Sequence, residues 1–293
     1  MSKLKILFIV NPISGITQKK QIPERIEALI DTKIIDFEIR KTQYRHHAVI
    51  LAAEAVAEKF DIVVAVGGDG SVNEVSSQLI NTSTALGIIP LGSGNGWARH
   101  FKLPLNTDKA IKIFNNHKKI KVDTGIVNDR HFINCAGLGF DAAVANHFAG
   151  TILRGFFSYV FSTLHQYSKF NSQEYSIQLD EHNIKGTYFM ISIMNGTQFG
   201  YNLKCLPHAN PNDGYFDVLL IKKFSKLFVP LLAFHAITNS LSKCFFCKVY
   251  KAKNVEIKSK SMMQMQVDGE PIKIKKEATL SLLHNSLNMI VGK

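Results

Sequence analysis

The chain has 293 residues, 46% hydrophobic and 20% charged, enough for two domains with a core each. Its 35 Lys and Arg against 23 Asp and Glu leave a net charge of +12, which favours an anionic partner such as nucleotide phosphate, an acidic membrane surface or nucleic acid. The sequence has no zinc-finger spacing, basic heptad region or aromatic RNA-binding signature, so nucleic acid is disfavoured; four cysteines are too few for a disulfide framework and point to a reducing, cytoplasmic setting.

In chain order, residues 6–10 form an apolar run that Asn11-Pro12 cuts off. It is too short for a signal-peptide core and predicts a first strand over 5–10. Residues 22–30 predict a helix with Pro23 in its first turn, 34–39 a second strand and the alanine-rich 46–60 a second helix. The wholly apolar 62–66 suits a strand covered on both faces; 71–80 predict a third helix and 85–90 a fourth strand. This alternation predicts a parallel α/β sheet. In such sheets ligands bind beyond the carboxyl ends of the strands, where Asn11, Gly67 and Leu91 begin their loops.

After about Thr124 the pattern changes. Segments 175–179, 188–193, 216–221, 255–258, 263–267 and 278–282 predict a mainly antiparallel sheet or sandwich. Helices are expected at 140–149, 153–167 and 227–240, and 286–291 reads as a last strand. The apolar core of the last helix, 227–237, falls short of the ~20 residues of a membrane-spanning helix, so any membrane contact is from the side. The expected organisation is an α/β nucleotide-binding domain at 1–124, a β-rich domain at 125–285 and a terminal strand, 286–293, that is free to return to either domain. Cys244 and Cys247 form a C-x-x-C without a partner pair at zinc spacing and read as ordinary thiols.

The most informative motif is Gly67-Gly68-Asp69-Gly70-Ser71 with Asn73 and Glu74, placed between a buried strand and a helix. Glycines let a ligand approach the main chain, and the helix N-terminus offers unpaired N–H groups to an anion. A carboxylate there repels phosphate unless it faces a divalent cation or takes a proton from an attacking hydroxyl. Both roles point to phosphoryl transfer, against the plain alternative of a tight turn with an Asp cap. Leu91-Gly92-Ser93-Gly94-Asn95-Gly96 supplies a second glycine-rich loop, and Asn11-Pro12-Ile13-Ser14-Gly15 a weaker third. Asp268-Gly269-Glu270 has two readings: a hairpin turn, or paired carboxylates that bind Mg²⁺ and deprotonate an alcohol. In Asn212-Asp213-Gly214-Tyr215-Phe216-Asp217, Asp213 and Asp217 either hold a cation or shape a turn.

In this order and spacing, these motifs from Asn11 to Glu270 resemble the diacylglycerol kinase catalytic-domain family, which includes sphingosine kinases and soluble bacterial lipid kinases. The resemblance implies an NAD-kinase-like α/β domain, a sandwich-like β-rich domain and a nucleotide between them. It also implies that Gly67, Gly68, Gly70 and Ser71 cradle ATP phosphates, with Asn11, Ser14, Glu74, Gly92, Ser93, Gly94 and Asn95 contributing. Asp69 serves Mg²⁺ or acts as the base, Asp268 is the competing base, Glu270 assists, and Asp123, Asp213 and Asp217 join the metal network. One departure is Gly96, where many bacterial members carry an aspartate; a weaker Mg²⁺ site or a shifted substrate follows, although sphingosine kinases lack that acid too.

The expected activity is ATP-dependent, Mg²⁺-requiring phosphorylation of a lipid hydroxyl on a diacylglycerol-like or sphingosine-like acceptor. An NAD kinase and a non-catalytic nucleotide- or lipid-binding regulator are the alternatives. The aromatic stretch 151–170, flanked by Arg154 and Lys169, and the lysines from Lys243 to Lys260 are candidates for peripheral contact with an anionic membrane surface.

Overall fold

The computed structural model describes residues 3–12, 21–150, 156–200 and 203–293. The chain divides into two compact units, Met1–Val122 with Asn285–Lys293, and Asp123–His284.

The first unit contains β1 (Leu4–Val10), α1 (Ile22–Leu29), β2 (Ile35–Lys41), α2 (His47–Ala57), β3 (Ile62–Gly67), α3 (Asp69–Leu79), β4 (Ala85–Pro90), α4 (Gly96–His100) and α5 (Thr107–Lys112). Its sheet runs β2-β1-β3-β4, each neighbouring pair parallel. All six residues of β3 and of β4 are buried, as their unbroken apolar sequences require of strands with both faces covered. The edge strand β2 instead alternates Ile35 and Phe37 with Asp36 and Glu38. Phe8 fixes the core between the edge of Phe114, 5.6 Å away, and that of Phe37, 6.1 Å away. α3 begins at Asp69 and not at the expected residue 71: the turn needs only the two glycines, and an acid in a helix's first turn complements the dipole.

The second unit begins at Asp123, within β5 (His117–Val127), and contains β6 (Arg130–Phe132), β7 (Cys135–Gly139), α6 (Phe140–Ala149), α7 (Phe156–Lys169), β8 (Gln173–Leu179), β9 (His182–Met194), β10 (Gln198–Gly200), β11 (Leu203–Lys204), β12 (Phe216–Lys222), α8 (Val229–Ile237), β13 (Cys247–Ala252), β14 (Asn254–Lys258), β15 (Met263–Val267), β16 (Glu270–Ile274) and the first part of β17 (Glu277–Gly292). The main strand order is β16-β15-β7-β9-β8-β14-β17. β9 is long enough to serve several neighbours: its first half pairs with β8, and its last residues with β7 and β12. β8 alternates exposed Glu174, Ser176 and Gln178 with buried Tyr175, Ile177 and Leu179, so one face builds the core. From Asn285, β17 belongs to the first unit, where Asn288 and Met289 pair in parallel with Ala85 and Leu86. The two short strands expected at 278–282 and 286–291 are thus one continuous strand, with Asn285 at positive φ (50°) within it.

All four cysteines are buried thiols. No helix among the described residues is long and apolar enough to cross a membrane.

Candidate active site

In the first unit, Asn11 at the end of β1 and the loops that follow β3 and β4 lie side by side. The Asn11 N–H donates to the Val66 carbonyl (3.1 Å) and the Leu91 N–H to the Gly67 carbonyl (2.8 Å), so sheet hydrogen bonding continues into the loops. The Asn11 side-chain amide donates to Ser71 Oγ at 3.1 Å. A Cβ on Gly92 would lie 2.6 Å from Gly68 Cα and 2.8 Å from Asn95 Oδ1, so here two loops meet backbone to backbone. Gly70 has another role, since a Cβ there would meet nothing within 4 Å and the main chain beside Asp69 faces open space. On the far side of Asp69, a Cβ on Gly94 would lie 2.9 Å from its Oδ2. The carboxylate therefore sits between the two glycine loops at the start of α3, where the first-turn N–H groups lack intrahelical acceptors.

Asn95 has a structural duty in this loop. It is buried in the left-handed conformation, and its side chain accepts from the Gly92 N–H (3.0 Å) and donates to the Gly92 carbonyl (2.7 Å). Arg99 Nε donates to the Gly94 carbonyl (3.0 Å) and closes the turn. Ser93 is exposed at the loop's tip. Glu74, one helical turn after Asp69, has an oxygen 3.5 Å from His46 Nδ1. Ser14 lies outside the described residues. A cavity of about 490 Å³ opens at the opposite, amino-terminal edge of the strands, lined by Leu4, Asp61, Ala85 and His117, and none of the motif residues reaches it.

In the second unit, Asp268 and Gly269, both at positive φ (47° and 85°), form the two-residue turn between β15 and β16, with Val267 paired to Glu270. This is the hairpin geometry that Asp-Gly favours. The Asp268 carboxylate reaches back across the sheet, where Oδ2 accepts from the Ile133 N–H and Oδ1 from those of Asn134 and Cys135, each at 2.9 Å. Its own N–H donates to the Cys135 carbonyl (2.8 Å). Three main-chain donors fix both oxygens. Glu270 follows on the rim, with Oε2 3.7 Å from Arg130 Nη1.

Behind this turn lies a polar network that the sequence does not announce. Gln266 Oε1 accepts from the Gly269 N–H (2.7 Å), and Gln266 Nε2 donates to Asp141 Oδ2 (3.1 Å), which also accepts from Ser192 Oγ (3.0 Å). Burial pushes the Asp141 carboxyl up to about 6, against the opposing effect of these two hydrogen bonds. Burial also pushes the neighbouring Cys135 thiol well up, with Asp268 and Asp141 adding to it. Gly137 makes room for Asp141, since a Cβ there would overlap its carboxylate. An Asp in a helix's first turn reads from sequence as a dipole partner, and Gln266 as one polar residue of an alternating strand, so neither is singled out.

Asp123 is fully buried and shared between the Gly214 N–H (2.9 Å) and His284 Nδ1 (2.8 Å). Asp213 lies 2.6 Å and Asp217 3.7 Å from Lys251 Nζ. Where a bound cation is expected between these two acids, the fold places an ammonium group. Burial raises the Asp217 carboxyl, and Lys251 opposes the shift. Among the described residues no three His, Cys, Asp or Glu side chains are grouped as a ligand set for a metal ion.

Comparison with known proteins matches both parts of this arrangement. Residues 5–127 match the diacylglycerol kinase catalytic domain, and 134–290 the YegS C-terminal NAD kinase beta sandwich-like domain. A probable lipid kinase YegS-like from Chromohalobacter salexigens is 30% identical over 241 residues, covering 80% of this chain and 77% of that protein. A diacylglycerol kinase from Staphylococcus epidermidis is 28% identical over 272 residues, covering 89% and 84%. The fold is that of a putative diacylglycerol kinase from Bacillus anthracis, with a TM-score of 0.81 at 21% identity over 98% of this chain and 97% of that one. The chain belongs to the diacylglycerol kinase family of lipid kinases, an α/β catalytic domain followed by a β-rich, sandwich-like domain.

Proposed function

We propose that the enzyme transfers the γ-phosphoryl group of ATP, with Mg²⁺, to the hydroxyl of a lipid such as a diacylglycerol or a sphingoid base. The observation that carries this reading is the backbone-to-backbone meeting of Gly68 and Gly92 beside the open face at Gly70, with Asp69 between the two loops. A side-chain-free edge at a helix N-terminus lets N–H groups reach phosphate oxygens, and an acid there serves a cation carried by the nucleotide. Gly67, Gly68, Gly70 and Ser71 would hold the phosphates, with Asn11 orienting the Ser71 hydroxyl.

Mg²⁺ bound to the nucleotide would neutralise charge on its β- and γ-oxygens. Of the expected acids, Asp69 suits one carboxylate of such an ion, which keeps most of its ligands as water and phosphate. Asp213, Asp217 and Asp123 do not suit it, because Lys251 and His284 already satisfy them, and no step is assigned to them. The acceptor oxygen forms its bond to γ-phosphorus as the bond to the β–γ bridging oxygen breaks, leaving ADP. The hydroxyl proton passes to Asp69 or to Asp268, and Glu270 stands beside Asp268 to position the acceptor. The enzyme's contribution is positioning and charge stabilisation.

NAD kinase shares the Gly-Gly-Asp-Gly loop, and a binding module could retain the fold. The test is transfer of labelled phosphate from ATP and Mg²⁺ to diacylglycerol, monoacylglycerol, sphingosine, prenol and NAD, beside Asp69→Asn and Asp268→Asn. Label on a lipid, lost in the variants, supports the reading and identifies the acceptor. Label on NAD alone, or on no acceptor, contradicts it. The variant that binds ATP normally but has lost the acidic limb of its pH–rate profile is the one that has lost the base.

A further inference from the structure

We infer that the surface formed by α8, the turn before it and the loop before β13 docks on a bilayer containing anionic lipid. α8 has the sequence VPLLAFHAI, uncharged throughout, and none of its nine residues is buried. A helix apolar on all sides belongs inside a core or in contact with lipid. Only one side of α8 meets its own domain, where Leu232 and Ala236 pack against the cluster that contains Leu206, Leu241 and Cys244. The outer side carries Phe234, 58% exposed, and Ile237, 74% exposed. Beside them stand Leu227, 86% exposed, and Phe245, 68% exposed, with the Phe245 ring 5.9 Å from that of Phe228. Exposed large apolar side chains concentrated in so short a stretch mark an interaction surface and not ordinary scatter.

Charge identifies the occupant. Between Asp217 and Glu256 the chain has seven lysines and no acid. Lys222 and Lys223, just before α8, and Lys243 and Lys248, on either side of Phe245, are exposed on the segments that carry or adjoin the apolar residues, and the Lys222 N–H donates to the Phe246 carbonyl (2.9 Å). Exposed apolar residues on lysine-bearing segments fit a surface with acyl chains beneath a negative headgroup layer. The apolar side chains enter the acyl boundary and the lysines stay among the phosphates, their stems lying along the interface. The aromatic helix α7 is partly committed elsewhere, since the Tyr167 and Phe170 rings pack on those of Phe140 and Phe189.

This inference rests on the lipid-kinase reading for its purpose and not for its test. The full chain is floated with vesicles of phosphatidylcholine containing phosphatidylglycerol, and with vesicles of phosphatidylcholine alone. Wild-type protein is expected to float with the anionic vesicles and to release as salt rises. Phe234→Ser with Ile237→Ser should weaken partition about tenfold or more, and Lys222→Gln with Lys243→Gln about fivefold per lysine. Ile50→Ser, which alters an exposed apolar residue of the other unit, should change nothing, and melting curves confirm that every variant folds. The inference is overturned if wild-type protein stays unbound, if the Phe234/Ile237 variant floats as well as wild type, or if the patch instead mediates concentration-dependent self-association. Phosphate transfer measured on the same vesicles separates the two readings: flotation without transfer to any lipid removes the kinase reading alone, and transfer to detergent-dispersed lipid without flotation removes the docking surface alone.

Discussion

An aspartate beside a glycine occurs at a key turn of each unit, and the two turns are built in opposite ways. Around Asp69 the glycines remove side chains, so two loops touch through their backbones and the main chain at Gly70, next to the acid, faces open space. Around Asp268 the acid itself organises the turn, gathering three main-chain N–H groups from Ile133 to Cys135, while Gln266 holds the Gly269 N–H. Under the proposed function, the first acid stands beside a ligand-facing edge, whereas the second, enclosed by main-chain donors, also supports the fold.

The largest effect that would break this comparison lies at the glycine contact. Gly92→Ala puts a Cβ 2.6 Å from Gly68 Cα, so the loops must separate. Phosphate transfer is expected to fall at least about 100-fold, as for an ångström-scale displacement of a reacting group. Gly70→Ala meets nothing in the protein, so its melting temperature should hold while the KM for ATP rises; unchanged kinetics in Gly70→Ala would mean that no ligand uses the open face.

Asp268→Ala sharpens the contrast. It leaves three N–H groups without their acceptor, at a cost of about 1 kcal/mol or more each, so the melting temperature should fall by about 6–10 °C. An unchanged melting curve would show that Asp268 does not hold its turn. The smallest effect concerns pH. Asp141, at about 6 in the folded protein, ionises near ~3.9 when unfolded. Between those values the folded state keeps a proton that the unfolded state has released, so stability falls as pH rises from about 4 to 6, and the penalty remains above that. Asp141→Asn removes this slope. Its urea midpoint relative to wild type should be higher at pH 7 than at pH 4.5, and equal differences at both pH values would contradict the assignment.

The first unit was legible because its signals are local. Unbroken apolar runs at Ile62–Gly67 and Ala85–Pro90, each followed by a glycine loop, specify a strand and its burial, and the rule for parallel sheets points to the end at which a ligand is expected. In the second unit much was hidden. The lysines of β13 and the glycines of β7 mask strand periodicity, and β17 looks interrupted because His284 and Asn285 fall in mid-strand. The Asp141–Gln266–Gly269 chain joins residues 125 and 3 positions apart in sequence, and only the fold brings them together. Asn95 stood out in the sequence as part of a glycine-rich loop, but its task of binding both polar groups of Gly92 did not.

The most direct test of the account is a paired measurement on Asp69→Asn: its melting temperature and its rate of phosphate transfer from ATP to the lipid acceptor. An acid that serves a ligand and not the fold should leave the melting temperature within about 1 °C, while transfer falls by about 100-fold or more. Normal transfer in this variant, or a loss of activity that merely follows a loss of fold, would contradict the claim that the open glycine edge around Asp69 is where the phosphoryl group is handled.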